Sequence, residues 1–197
     1  LHLSLRRQRQ MCIRDRDPKL SGPNNLVIFA KEIKPNPAWW TTDGVSMIFF
    51  QKTIEASGSL PKTGNYQENI LANREATTRG AYDSFMVNTH GHVTEGTTSN
   101  AWIIKNNILF TPPLADGVLD GLTRKTLLEM AKRQMLPLPL VEKSLSKDDF
   151  LSADECFITS TTRNVVPVTK IESHLIGNGK PGALTLKLLE LYLEFVK

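Results

Sequence analysis

Residues 153–168, ADECFITSTTRNVVPV, decide the fold class. Cys156 to Ser160 and Val165 to Thr169 are β-branched, apolar runs of strand length, separated by a few polar residues. No helix fits between them, so this is a hairpin and not a βαβ crossover. The pattern repeats upstream. Ala101 to Lys105 and Ile108 to Thr111 form a second hairpin across Asn106-Asn107, and Tyr82 to Val87 is a strand that ends in a turn at NTHGH, residues 88–92. Val45 to Gln51, VSMIFFQ, is another strand. Helical stretches are fewer: 65–79, stopping before Gly80; one starting at Thr123, a good cap residue; and 183–196 after the loop GNGKPG. Strands and helices mix without regular alternation. This favours an α+β fold with an irregular, barrel-like sheet core over a doubly wound sheet.

Composition supports an ordered domain. The chain has 197 residues with 40% hydrophobic side chains and a formal charge of +4. No run is long and apolar enough to span a bilayer, which argues against a membrane partner. Two cysteines, Cys12 and Cys156, make neither a disulfide framework nor a zinc set, and a reducing, cytoplasmic setting fits them best. The charge is uneven. Residues 1–16 hold five arginines and one acid, and the remainder is neutral. A nucleic-acid arm would look like this, as would a targeting peptide, although a secretory one needs a continuous apolar core. The string MCIRDR also resembles translated adapter read-through, and on that reading 1–16 is a non-native tail with no nucleic-acid role. Residues 17–34 then contain one buried strand, NLVIFAK at 25–31, and the Pro-rich KPNPAWW opens a linker at 35–41. The main domain runs over 42–197.

Familiar catalytic signatures are missing: there is no GxSxG, HExxH or Walker A motif. His90 and His92 lack further ligands at metal spacing and read as a solvated turn, so no metal site is expected. Cys156 reads as a buried small hydrophobe.

Three stretches carry a more specific signal: PKTGNYQENILANREA at 61–76; GHVTEGTTSNAW at 91–102 followed by LFTPPLADGVLDGLTR at 109–124; and ADECFITSTTRNVVPV at 153–168. Their order and spacing resemble the class IV pyridoxal-phosphate enzymes of fold type IV. That family includes branched-chain aminotransferases, D-amino-acid aminotransferases and aminodeoxychorismate lyase. The resemblance covers residues 24–197. It implies the large C-terminal domain of such an enzyme, with the small N-terminal domain mostly missing. It also implies pyridoxal 5′-phosphate as cofactor, a homodimer, and amino-acid and 2-keto-acid substrates exchanging an amino group by a ping-pong Schiff-base route. Lyase chemistry on aminodeoxychorismate, or an inactive truncated remnant, are the alternatives.

The resemblance assigns roles residue by residue. Lys62 matches the lysine that holds the cofactor and shuttles a proton; by composition alone it is a loop lysine. Glu95 matches the carboxylate at the pyridine nitrogen, where a protonated ring is the stronger electron sink. Leu122 and Thr123 match residues whose backbone N–H groups cradle the phosphate at a helix start. Ser160 and Thr161 match the second phosphate loop, and Tyr66 a tyrosine near the ring hydroxyl. KTGNY has one residue fewer than the KxGGNY of branched-chain enzymes, and STTR replaces their GTAA. That replacement places Thr162 and Arg163 beside the phosphate loop, as candidate ligands of a substrate carboxylate.

Overall fold

Strand β1 (Val45–Gln51) explains how the sheet curls. Its alternate residues Met47 and Phe49 lie opposite Asp83 and Phe85 of the parallel strand β2 (Asp83–Val87). Because side chains alternate across a strand, this register sends one apolar set to a single face. A computed structural model describes residues 35–52 and 66–196 of the chain. The tail 1–16, residues 17–34 with the strand expected at 25–31, and Lys62 lie outside the described residues.

The remaining elements follow in chain order. Helix α1 (Trp39–Thr42) precedes β1, and α2 (Gln67–Thr78) precedes β2. Then come β3 (His92–Gly96), β4 (Asn100–Lys105), β5 (Ile108–Thr111), a 3-10 turn at Leu114–Asp116 and α3 (Leu122–Lys132). The C-terminal part holds β6 (Leu140–Glu142), β7 (Leu145–Ser146), α4 (Lys147–Leu151), β8 (Glu155–Ser160), β9 (Asn164–Ile171), β10 (His174–Leu175) and α5 (Ala183–Phe195).

Six strands close on themselves in the order β4-β8-β9-β1-β2-β3 and back to β4. The closing pair is Glu95 with Asn100. Closure removes the exposed hydrogen-bonding edges that an open sheet would leave. Two apolar clusters sit on the two sides of the wall. Met47, Phe85, Val87, Ala101, Ile103, Cys156, Ile158, Val166 and Val168 fill one side, joined by Phe150 of α4, whose ring lies 4.9 Å from Phe85. Trp102, Ile104, Phe157 and Val165 form the other, against Leu127 and Met130 of α3 and Leu188 and Tyr192 of α5. Side chains alternate across each strand, so the first cluster lines one face of the wall and the second, covered by α3 and α5, the other. Trp102 stacks on Phe157 at 5.6 Å and donates Nε1–H to Thr159 Oγ1 at 2.9 Å, so the largest buried ring has its polar atom satisfied.

Helix α2 packs on β2 through Ala72 and Ala76, both fully buried. Alanine there lets the backbones approach until Ser84 Oγ reaches the Ala72 carbonyl at 2.7 Å. The hairpin across Asn106-Asn107 is present, both residues taking positive φ (50° and 62°), the geometry that a two-residue hairpin turn demands. Two expectations need correction. The turn at NTHGH ends early, because β3 starts at His92; Gly91 and the short polar run hid that strand. Thr123 is not the cap of α3. Gly121 occupies the cap, and the Thr123 hydroxyl lies 3.5 Å from Tyr192 OH, facing α5.

Helix α5 starts on a long-range anchor. Glu155 of β8 accepts hydrogen bonds from Leu184 N (3.1 Å), Thr185 N (2.7 Å) and Thr185 Oγ1 (2.7 Å). It thereby satisfies first-turn amides and complements the helix dipole. A Cβ at Gly182 would come within 1.9 Å of the Glu155 Cδ, so this approach requires glycine. Glu155→Ala should therefore lower stability by about 1–2 kcal/mol, the range for losing a helix cap. Urea unfolding followed by far-UV circular dichroism measures it, and an unchanged midpoint would contradict the anchor.

Candidate active site

Strand β4 lies between β3 and β8, and Asn100 is its hinge point. It pairs with Glu95 on one side and with Thr159 on the other. Neighbouring strands are about 4.8 Å apart, so Glu95 and the Thr159-Ser160 end of β8 sit roughly 10 Å from each other across Asn100. The loop leading into α3 drops onto this pair. Glu95 Oε2 accepts from Leu119 N at 2.9 Å, and Asn100 Nδ2 donates to Leu119 O at 2.8 Å. The backbone of one residue, Leu119, is thus held on both sides of its Cα. Gly121 must follow closely, because a Cβ there would lie 2.2 Å from Asn100 Oδ1. This clamp places the start of α3, with Leu122 and Thr123, beside Glu95.

Two features of the assembled site suit an anionic, aromatic ligand. The first is the start of α3, where Gly121 brings no side chain to cap the first amides. Helices α4 and α5 contrast with it, being capped by Ser146 with Asp149 and by Glu155. The third residue of α3 is Arg124, fully buried, whose Nη2 donates to Pro112 O at 3.1 Å and to the Glu142 carboxylate; Asp120 Oδ1 lies 3.9 Å from Nη1. A cation so near the positive end of a helix dipole is electrostatically unfavourable without such partners, which offset its charge here. The second feature is Glu95 itself. It is half-buried, Oε2 is taken by Leu119, and Oε1 accepts no hydrogen bond among the described residues. Burial pushes its carboxyl above the usual glutamate range, against the Leu119 amide and the Lys52 charge, which pull it down.

The structure therefore brings Glu95, Leu122, Thr123 and the Ser160-Thr161 end of β8 to one rim of the barrel. Leu122 and Thr161 are exposed there, and Ser160 is half-buried. Tyr66 stands at the N-cap of α2, 37% exposed. Thr162 is exposed in the β8–β9 turn, which Arg163 N closes onto Ser160 O at 3.2 Å before Asn164 takes a φ of 60°. The Arg163 guanidinium is directed at Ser160, Tyr82 and Thr98. Lys62 lies outside the described residues. Asn100 and Arg124 were not picked out from the sequence. Both stand inside the motifs that were, and the signal that could have found them is a polar or charged residue within an otherwise apolar strand or helix start.

Comparison with known proteins identifies the family. Residues 9–171 match the family model for amino-transferase class IV. The chain belongs to the class IV aminotransferase family. A D-alanine aminotransferase from Bacillus licheniformis is 40% identical over 124 residues, 63% of this chain and 43% of that protein. A branched-chain-amino-acid aminotransferase from Pseudomonas aeruginosa is 36% identical over 133 residues, 68% of this chain and 42% of that protein. Among solved structures, the T.th. branched-chain amino acid aminotransferase complexed with N-(5′-phosphopyridoxyl)-L-glutamate superposes with a TM-score of 0.69 at 28% identity. It covers 80% of this chain, which in turn covers 53% of it. The branched-chain aminotransferase from Thermoproteus uzoniensis with norvaline gives 0.68 at 30% identity, covering 83% and 55% of the two chains. This chain thus spans about half the length of these relatives, and the closed α+β barrel is the fold it shares with them.

The raised Glu95 pKa has a consequence for stability. The folded state binds this proton more tightly than the unfolded chain does. The associated stability is present below the ordinary glutamate pKa and is lost as pH rises through the raised value. Glu95→Gln removes that loss. Between mildly acidic pH and about pH 7, the melting temperature of the variant should fall less than that of the wild type. Parallel curves would show that Glu95 is not strained by burial.

Proposed function

We propose that this chain is the cofactor-binding part of a pyridoxal-5′-phosphate-dependent aminotransferase. In this reading it moves an amino group between a branched-chain or D-amino acid and a 2-keto acid, by a ping-pong route, as a cytoplasmic homodimer. The observation that carries the reading is the doubly held Leu119 backbone, which sets a half-buried carboxylate beside an uncapped helix start. A pyridine nitrogen and a phosphate on one planar molecule need that pair of partners. The names of the relatives supply the substrate classes, and the free, buried Cys156 suits a reducing compartment. Among the described residues no helix is long and apolar enough to cross a membrane.

The residues present fit the cofactor, which when bound supplies an aldehyde and an electron-withdrawing ring. Leu122 and Thr123 would hold its phosphate through their backbone N–H groups, with the Ser160 and Thr161 hydroxyls on the opposite side. Glu95 Oε1 would accept a hydrogen bond from the protonated ring nitrogen. Tyr66 would stand near the ring hydroxyl, and Thr162 would offer a hydroxyl to the substrate carboxylate. Lys62 Nζ would form the covalent link to the cofactor and would carry a proton on and off the substrate carbon.

Incubation of the chain with pyridoxal 5′-phosphate, borohydride reduction and peptide mapping tests this. The label should appear on the peptide containing Lys62 and vanish in Lys62→Ala. Label spread evenly over surface lysines, or unchanged in the variant, would refute the proposal.

A further inference from the structure

We infer that Arg163 is a positioning residue: an internal strap that joins the β8–β9 turn to the β3–β4 turn, and not the ligand of a substrate carboxylate. The inference rests on the proposed cofactor site for its functional meaning, but its structural basis is separate.

Gripping a carboxylate in a fork takes two parallel N–H groups on one edge of the guanidinium. Arg163 has no such edge free. Nε donates to Ser160 Oγ at 3.2 Å and Nη1 to Tyr82 OH at 3.2 Å. Nη2 donates to Thr98 O at 3.2 Å and also to Thr98 Oγ1. Every nitrogen is engaged by the protein, and the guanidinium carbon also lies 5.9 Å from the centre of the Tyr82 ring, a cation–π distance. The Arg163 carbonyl in turn accepts from Asn36 Nδ2 at 3.1 Å.

What the strap reaches is itself fixed. Thr98 belongs to the turn that follows Glu95. Next to it, Thr97 Oγ1 donates to Asp83 Oδ1 at 2.6 Å, and Thr97 O accepts from Asn69 Nδ2 at 2.7 Å. Asp83 is 1% exposed, and its Oδ1 also accepts from Ser84 N and Asn73 Nδ2, so it is a rigid mooring in the barrel wall. Tyr82 is locked edge-on against Trp39 and Trp40. One guanidinium therefore sets the distance between the turn carrying Ser160-Thr161 and the segment carrying Glu95. Those two segments would hold opposite ends of one cofactor, so slack between them weakens binding without any lost ligand contact.

A double-mutant cycle in the full 197-residue chain tests this, with Arg163→Met, Thr98→Val and the pair. Urea unfolding without added cofactor reads the strap itself. The two single changes should both destabilise, and the pair should be little worse than Arg163→Met alone. Pyridoxal 5′-phosphate affinity, measured where every variant is fully folded, reads the positioning role. Arg163→Met and Thr98→Val should each weaken it by roughly tenfold, the loss of about one charge-assisted hydrogen bond, and Arg163→Lys should not restore it. Additive destabilisation, or a Thr98→Val chain with unaltered affinity, would overturn the strap. Should Arg163→Met fail to fold, Arg163→Lys with Thr98→Val completes the same cycle, since lysine lacks the planar fork. A wild-type chain that does not bind pyridoxal phosphate at all would defeat the proposed function, leaving the unfolding cycle to decide the strap.

Discussion

The Leu119 backbone, gripped at its N–H by Glu95 and at its carbonyl by Asn100, is the contact on which the site depends. Glu95 and Asn100 are also the residue pair that closes the barrel. Ring closure and site assembly are therefore one event. A β3 strand that slipped by a residue would turn Glu95 away from the loop and open the sheet at once. The start of α3 would then have no reason to lie where it does, and the rim would lose its uncapped amides.

The molecule treats its two long C-terminal helices differently. The start of α5 is closed by Glu155, a carboxylate delivered from a strand, and the result is a stable structural joint. The start of α3 is left without a side-chain cap and has a buried arginine behind it. The arginine is paired with Glu142, but the first amides of α3 have no side-chain partner, and an anion placed there would give them one. Glu95 shows the same trade: burial makes its charge costly, and a protonated ring nitrogen would relieve that cost. Sites that bind charge commonly hold such unfavourable arrangements in waiting.

Much of this was readable in the residues. VSMIFFQ, ADECFITS and the Asn106-Asn107 hairpin announce strands by local composition, and the helices at α2, α3 and α5 follow from their lengths and stops. The short elements were not readable. HVTEG at β3 carries only one large apolar side chain, and α4 is a single turn whose capping box, Ser146 with Asp149, is closed by one serine and one aspartate. Glu95, Leu122, Thr123, Ser160 and Thr161 were singled out through motif order, and the fold brings them to one rim of the barrel. Asn100 and Arg124 escaped because their roles exist only once β3, β4 and the loop before α3 have met in space. Arg163 shows the limit most clearly: the sequence supplies its charge and its place in the turn, whereas Tyr82 and Thr98, which take up its donors, lie 81 and 65 residues away.

The most direct test of the central claim is amide NMR of the chain on titration with pyridoxal 5′-phosphate. The account predicts that the Leu122, Thr123 and Thr161 amides shift together and become protected from hydrogen exchange, with one affinity, while the α5 start at Leu184 and Thr185 stays unmoved. Shifts scattered over surface lysines, with the α3 amides unaffected, would contradict it.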